Sequence, residues 1–289
     1  MRLNRIIPLQ PQTAFRARPC IEIGGGHQRA QRTITVPGLD ARILADPLRA
    51  GSGGDVYSIA SNSSGGRSRF LLADVSGHGE RAQPRARRLC NLIARLVEIT
   101  DCVRLARAIN RELASIAADD EFATALVMTY SRHTHRLSIC NAGHPRPLLY
   151  RARRGEWQLL GERVRGRGPC NLPFGVLADS RYTAFEIQLE RDDLVLLYTD
   201  ALSDAQAADG RDLGEEGVLD VVRGLGCNSV RGLPAALVEA VACFRDGAPR
   251  DDQTVMALHR SSWMPVLLPA RSAARRAILR LRPRRLLRG

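Results

Sequence analysis

"FLLADVSGHGERA", Phe70–Ala82, joins a short apolar run to an aspartate and then to a glycine-flanked histidine. The run is apolar and short, so it is expected to be a strand. Before it, "DVYSIAS" (Asp55–Ser61) alternates and "SNSSGGRS" is a turn cluster, which together predict a hairpin. After it, Leu89, Leu92, Ile93, Leu96 and Val97 fall at i, i+3, i+4, i+7 and i+8, one face of an amphipathic helix with Pro84 in its first turn. Asp101 is placed to cap a second helix carrying Leu105, Ile109, Leu113 and Ile116. A strand hairpin therefore feeds a helical hairpin.

Further strands are expected at residues 122–130, 136–142, 147–151, 156–160, 184–190 and 194–200, helices near 213–225 and 230–245, and a last strand at 254–260. Strands in bunches, with helix pairs between them, exclude regular βαβ alternation and predict an α+β fold of mostly antiparallel sheets covered by helices. Residues 1–41 mix Pro, Arg, Gln and "GGG" without periodicity and read as a loose leader; 42–260 form the domain; 261–289 are an Arg-rich tail.

The chain of 289 residues carries a net charge of +13, all of its basic residues being Arg. That charge is uneven: about +8 in 261–289, +4 in 1–40 and +1 in the long centre. The excess belongs to the ends, so it is discounted as a sign of a nucleic-acid partner for the domain; contact of the tail with an anionic membrane or with nucleic acid stays open beside a plain solvated tail. Seven scattered Cys without a CxxC pair fit a reducing compartment, most of them as small buried residues. With no membrane-length apolar run and no secretory leader, a cytoplasmic location is expected.

Aspartates recur where strands begin or end: Asp55, Asp74, Asp200, and Asp251 with Asp252. Each alone reads as a turn former or helix cap. If the strand ends converge, their mutual repulsion calls for hard divalent cations such as Mg²⁺ or Mn²⁺, and two such ions would suit phosphoester hydrolysis. "GSGGD" lacks the GK[ST] ending of a phosphate-binding P-loop.

"GGD" (Gly53–Asp55), "ADVSGHGERA" (Ala73–Ala82), "FATA" (Phe122–Ala125), "NAGHP" (Asn141–Pro145), "LPFGV" (Leu172–Val176), "LLYTDAL" (Leu196–Leu202) and "RDDQT" (Arg250–Thr254) follow one another in an order that resembles the SpoIIE-type branch of the PPM (PP2C-like) serine/threonine phosphatases. The resemblance implies a four-layer αββα sandwich of two antiparallel sheets flanked by helix pairs, with two Mn²⁺ or Mg²⁺ ions between them. It further implies hydrolysis of phosphoserine or phosphothreonine by a metal-activated water. Asp55, Asp74, Asp200 and Asp251 then correspond to metal ligands, with Val75 lending its backbone carbonyl and Asp252 orienting the turn. Asp74 and Asp200 are the catalytic carboxylates, His78 is either a proton donor or a turn residue, and His144 and Thr124 read as a turn residue and a packed strand residue.

The implied substrate is a phosphorylated regulatory protein, in this branch a STAS-type anti-sigma antagonist. A homodimer contact or a regulator acting through the helices at 83–117 is also implied. The branch's usual "TDGL" is "TDAL" here, so Ala201 would strain the Asp200 loop if that position needed φ > 0. That departure leaves a second reading, a catalytically weak PP2C-like module that sequesters a phosphoprotein.

Overall fold

The computed structural model describes residues 20–25, 29–49, 52–62, 64–77, 79, 82–115, 121–161, 170–226 and 230–261. Strands β1 (Cys20–Gly25), β2 (Ala30–Val36), β3 (Leu39–Asp46), β4 (Asp55–Ser61) and β5 (Arg67–Val75) precede helices α1 (Ala82–Arg95) and α2 (Cys102–Ala114). Then come β6 (Ala123–Ser131), β7 (Arg136–Ala142), β8 (Leu148–Arg151), β9 (Glu156–Leu159), β10 (Phe185–Gln188) and β11 (Leu194–Tyr198). The short α3 (Asp200–Ser203), α4 (Gly214–Leu225), α5 (Leu233–Phe244) and β12 (Gln253–His259) complete the chain.

Two antiparallel six-stranded sheets result, ordered β1-β4-β5-β6-β7-β10 and β2-β3-β12-β11-β8-β9. Strand periodicity decides what each face buries. In the first sheet Tyr57, Ile59, Phe70, Leu72, Leu126, Met128 and Tyr130 point at the second sheet, which answers with Leu39, Ile43, Val195, Leu197, Met256 and Leu258. The alternate residues Val56, Leu71, Ala73 and Val127 face away and pack on Leu89, Leu92 and Ile93 of α1 and Leu105 and Ile109 of α2. On the far side Leu196, Tyr198, Val255 and Ala257 pack on Val218 and Val222 of α4 and Leu237 and Val241 of α5. Three apolar seams thus hold the four layers α/β/β/α.

The helical hairpin forms as the pattern requires, with Asp101 Oδ1 accepting the Arg104 backbone N–H at 2.8 Å. Its apolar face is used up against the first sheet, so any partner meets the polar face. One expectation needs correction: residues 20–25 and 30–36, within the stretch read as a loose leader, are strands. β1 lies on the edge of the first sheet beside β4, and β2 on the edge of the second beside β3. Edge strands bury one flank only, so Ala30–Val36 stays largely exposed and carries little apolar signal. The tail from residue 262 onward lies outside the described residues.

A carboxylate cleft between the sheets

The alternate row that is apolar through the middle of the sandwich turns polar at one end. Asp55 continues the row of Tyr57 and Ile59, Asp74 that of Phe70 and Leu72, and Thr124 that of Leu126 and Met128. Asp55 and Asp74 are direct cross-strand partners, an arrangement that sets like charges side by side. From the second sheet, β11 runs out at Tyr198, opposite Val255, the third residue of β12. Thr199–Asp200 and Asp251–Asp252 therefore leave adjacent strands at the same end. Asp200 opens the first turn of α3, so its carboxylate is placed by a strand-to-helix junction.

Hydrogen bonds across the seam fix the two sheets' ends together. Thr199, fully buried, aims Oγ1 at Asp55 Oδ2 (3.1 Å) and accepts the Thr254 N–H (3.0 Å). Asp252 accepts the Leu48 N–H at 2.7 Å through Oδ1 and the Gly54 N–H through Oδ2, which leaves it an organiser of the loop, as the sequence suggested. Asp55 is buried, and its Oδ1 has no hydrogen-bond partner among the described residues.

Burial and crowding make Asp55, Asp74 and Asp200 reluctant to ionise. Asp55 is raised well above the usual carboxylate range by burial and by Asp74, with the Thr254 and Thr199 hydroxyls working the other way. Asp74 is pushed up to about 8 by burial, then by Asp200, Asp251 and Asp252. Asp200 rises to about 6 through burial, Asp204 and Asp251. The Asp55–Asp74 pairing and the hydrogen bonds from Thr199 to Asp55 and from Leu48 and Gly54 to Asp252 bring these strand ends together, which periodicity alone left open.

The cleft suits a hard cation. Its donors are oxygens only, and an oxygen of Asp55 is orphaned. Gly54 also leaves open the space toward which Asp74 Oδ1 and the Val75 carbonyl point: a Cβ there would sit 3.0 Å from each. Among the described residues no three Asp, Glu, His or Cys side chains are grouped tightly enough to enclose an ion by themselves. Magnesium-type sites are built that way, from one or two carboxylates completed by carbonyl oxygen and water.

The family model described as stage II sporulation protein E (SpoIIE) matches residues 64–261. The chain belongs to the SpoIIE family. Asp74, Asp200 and Asp251 fall inside the matched span, and Asp55 lies just before it. Over 144 residues the chain is 27% identical to the phosphoserine phosphatase RsbP of Bacillus subtilis (strain 168), a match covering 48% of this chain and 34% of RsbP. The chain thus spans about a third of that curated relative. Its fold is similar to the RsbU and RsbW domains of Rv1364c from Mycobacterium tuberculosis (TM-score 0.67, 22% identity, 85% of this chain and 68% of that one). It is also similar to the PP2C phosphatase domain of SpoIIE from Bacillus subtilis, solved with a fragment of its regulatory domain (TM-score 0.65, 17% identity, 83% and 70%). The architecture is accordingly the PP2C-like α+β sandwich.

Other motif residues fall around the cleft. His144 is buried, donates its N–H to Asn141 Oδ1 and accepts Asn141 Nδ2 on its carbonyl, both at 2.8 Å, which makes it the turn residue expected. Its ring meets Thr124 Oγ1 at 2.8 Å and is held neutral, with a pKa lowered to about 3 by burial. Gly143, at φ 68°, leaves only 2.5 Å between a would-be Cβ and Pro173, so "NAGHP" and "LPFGV" pack through a position only glycine can fill. His78 lies outside the described residues.

Ala201 corrects another expectation. It sits inside the first turn of α3 and is not among the residues with positive φ. Alanine is at home there, so no strain reaches Asp200. Sequence reasoning missed Thr199 as a functional residue. The available signal was its place two residues beyond Leu197 in the inward row.

Proposed function

We propose that the protein is a metal-dependent serine/threonine phosphatase acting on a phosphorylated regulatory protein. The observation that supports this reading is the cross-strand pair Asp55–Asp74, set beside the strand ends that carry Thr199–Asp200 and Asp251–Asp252 and beside the Val75 carbonyl, with Asp55, Asp74 and Asp200 all shifted upward. Asp55, Asp74 and Val75 would hold cations from the first sheet, and Asp200 and Asp251 from the second. Two Mn²⁺ or Mg²⁺ ions there would lower the pKa of water and offset the charge of phosphoryl oxygens.

The chain's own groups set the stage for that chemistry. Asp74 and Asp200 would serve as the central carboxylates. Thr199 fixes the rotamer of Asp55, and Asp252 clamps the Gly54 loop so that the Gly54 gap stays open. His144 is kept neutral and turned into Thr124, so it is no proton donor at physiological pH. His78, in the loop after Asp74, is the remaining candidate for that role.

For the substrate, a STAS-type anti-sigma antagonist carrying phosphoserine or phosphothreonine is the reading that the SpoIIE family supports. A homodimer contact or a regulator would act through the polar face of the 83–117 helices. Arg85 of α1 donates to the Ser76 carbonyl at 2.8 Å, one residue from Val75, and so links that helix to the cleft. A cytoplasmic setting is proposed on the free Cys90, Cys102, Cys140, Cys170 and Cys243, of which only Cys102 and Cys140 are buried. Among the described residues no helix is long and apolar enough to cross a membrane. The alternative of a non-catalytic binding module rested on Ala201 and loses that support with the helical first turn of α3.

The test is phosphate release from a phosphoserine protein by purified protein with Mn²⁺, with EDTA, and as the Asp200→Asn variant. Metal-dependent release lost in the variant supports the proposal. A folded protein that binds the phosphoprotein without releasing phosphate in Mn²⁺ refutes it in favour of the binding module.

A further inference from the structure

At the end of the first sheet remote from the cleft, the connection between α1 and α2 and the outer face of α2 enclose an open groove of about 670 Å³. Arg67, Glu98, Ile99, Thr100, Asp101, Arg104, Arg107, Ala108 and Arg111 line it, and its four arginines are what matter. Arg104, Arg107 and Arg111 stand at i, i+3 and i+7, a single stripe along roughly 10 Å of helix. Arg67 opens β5 and faces them from the sheet. Asp74 is seven residues further along β5, roughly 20 Å away at strand rise, so the groove is separate from the carboxylate cleft.

An arginine-rich chain scatters cations over its surface, but many of its exposed arginines are matched. Arg88 pairs with Glu121, Arg95 with Glu112, Arg136 with Glu186 and Arg211 with Asp209. None of the four groove guanidinium groups has an ion pair or hydrogen bond among the described residues, although Glu98 and Asp101 line the same groove. Asp101 is engaged instead by the Arg104 backbone N–H.

A second, independent feature lies beneath. Arg69 is 97% buried (3% exposed) on the helix-facing side of β5. Its Nη1 donates to the carbonyls of Leu96, Val97 and Ile99 at 3.0, 3.4 and 2.7 Å, while Nε and Nη2 have no partner among the described residues. It lines a crevice of about 10 Å³ that shares Arg67, Ile99 and Thr100 with the groove above. A buried cation with unused donors, under four exposed unpaired cations, concentrates positive potential where an anion of stated size can enter.

We propose that this groove binds a small molecule bearing two or more phosphate groups. Guanidinium forks match phosphate oxygens in bidentate pairs. Cations spread over roughly 10 Å exceed the reach of one phosphate and fit a chain of them, and the volume falls within the roughly 300–1,000 Å³ of small-molecule sites.

The experiment is calorimetric titration of the full chain, kept in EDTA so that no metal ion in the carboxylate cleft can hold the phosphate probes. The probes are tripolyphosphate, pyrophosphate, inorganic phosphate and an acidic polyglutamate peptide. Binding should strengthen from phosphate to tripolyphosphate, weaken with salt, and fall by about tenfold or more in the Arg104→Ala/Arg107→Ala double variant. The Arg87→Ala variant, an exposed arginine of α1 outside the groove, should bind as the parent does. Because both groove positions are exposed, the variants keep their fold, which circular dichroism checks. No binding of tripolyphosphate at millimolar concentration, unchanged affinity in the double variant, or binding of the peptide in preference to tripolyphosphate would each overturn the proposal.

Discussion

Asp74 gives a metal-free protein whose stability should fall as pH rises. In the folded chain its carboxyl keeps its proton up to about 8, against an ordinary value of 3.8 for the unfolded chain. Between those values the folded state binds more protons than the unfolded state, so unfolding becomes easier with increasing pH. The contribution of Asp74 is full below pH 3.8, is lost progressively on the way to about 8, and changes no further above it. At 1.36 kcal/mol for each tenfold change in proton affinity, the gap amounts to roughly 6 kcal/mol as a ceiling for this carboxyl. Asp200, at about 6, adds to the same trend in the lower part of the window.

Urea unfolding in EDTA at pH 5, 6, 7 and 8 reads this directly as a falling midpoint at constant slope. Asp74→Asn, which removes the ionisation, should flatten the curve and make the metal-free variant more stable than the parent at pH 8 by a few kcal/mol, within that ceiling. Adding Mn²⁺ should reverse the order at pH 8, because the parent alone offers the charged ligand. A metal-free parent whose stability is level or rises from pH 5 to 8 would refute the argument that uncompensated carboxylates meet in the cleft.

Three further outcomes are expected. Gly54→Ala places a methyl 3.0 Å from Asp74 Oδ1 and the Val75 carbonyl, so it should weaken Mn²⁺ binding by about tenfold or more, on the scale of damage to groups that orient a metal site, while circular dichroism stays unchanged. Thr199→Val strands Asp55 Oδ2 and the Thr254 N–H, and should cost about 1–3 kcal/mol in denaturant unfolding. Ala201→Gly, which restores the residue usual in related chains, should bring no gain in phosphate release and should lower stability by about 0.5–1 kcal/mol, because the position is helical.

The fold was legible where burial is two-sided or strongly periodic. The runs ending at Asp74 and near Asp200 announced central strands, and the leucine spacing of α1 with the Asp101 cap announced the helical hairpin. It was illegible at the edges: β1 and β2 bury one flank, so their residues are not obliged to be apolar. The carboxylates themselves stood out as charges abutting apolar runs. Their meeting did not, because it depends on two sheets being docked with their rows in phase, a relation between residues about 145 and 180 positions apart in the chain. The Ala201 expectation failed for a similar reason: whether a loop residue needs positive φ is decided by where the next helix begins.

β12 sits in the middle of its sheet, between β3 and β11, yet it is the last strand in the described chain. While the protein is being synthesised, β3 and β11 therefore wait with bare flanks for the segment that will separate them. The same segment brings Asp251 and Asp252, so the cleft acquires its final carboxylate and the clamp on Gly54 in the step that zips the sheet shut. Ribosome-bound chains stopped before residue 250 should be open to proteases and unable to retain Mn²⁺, and release of about ten more residues should end both conditions together.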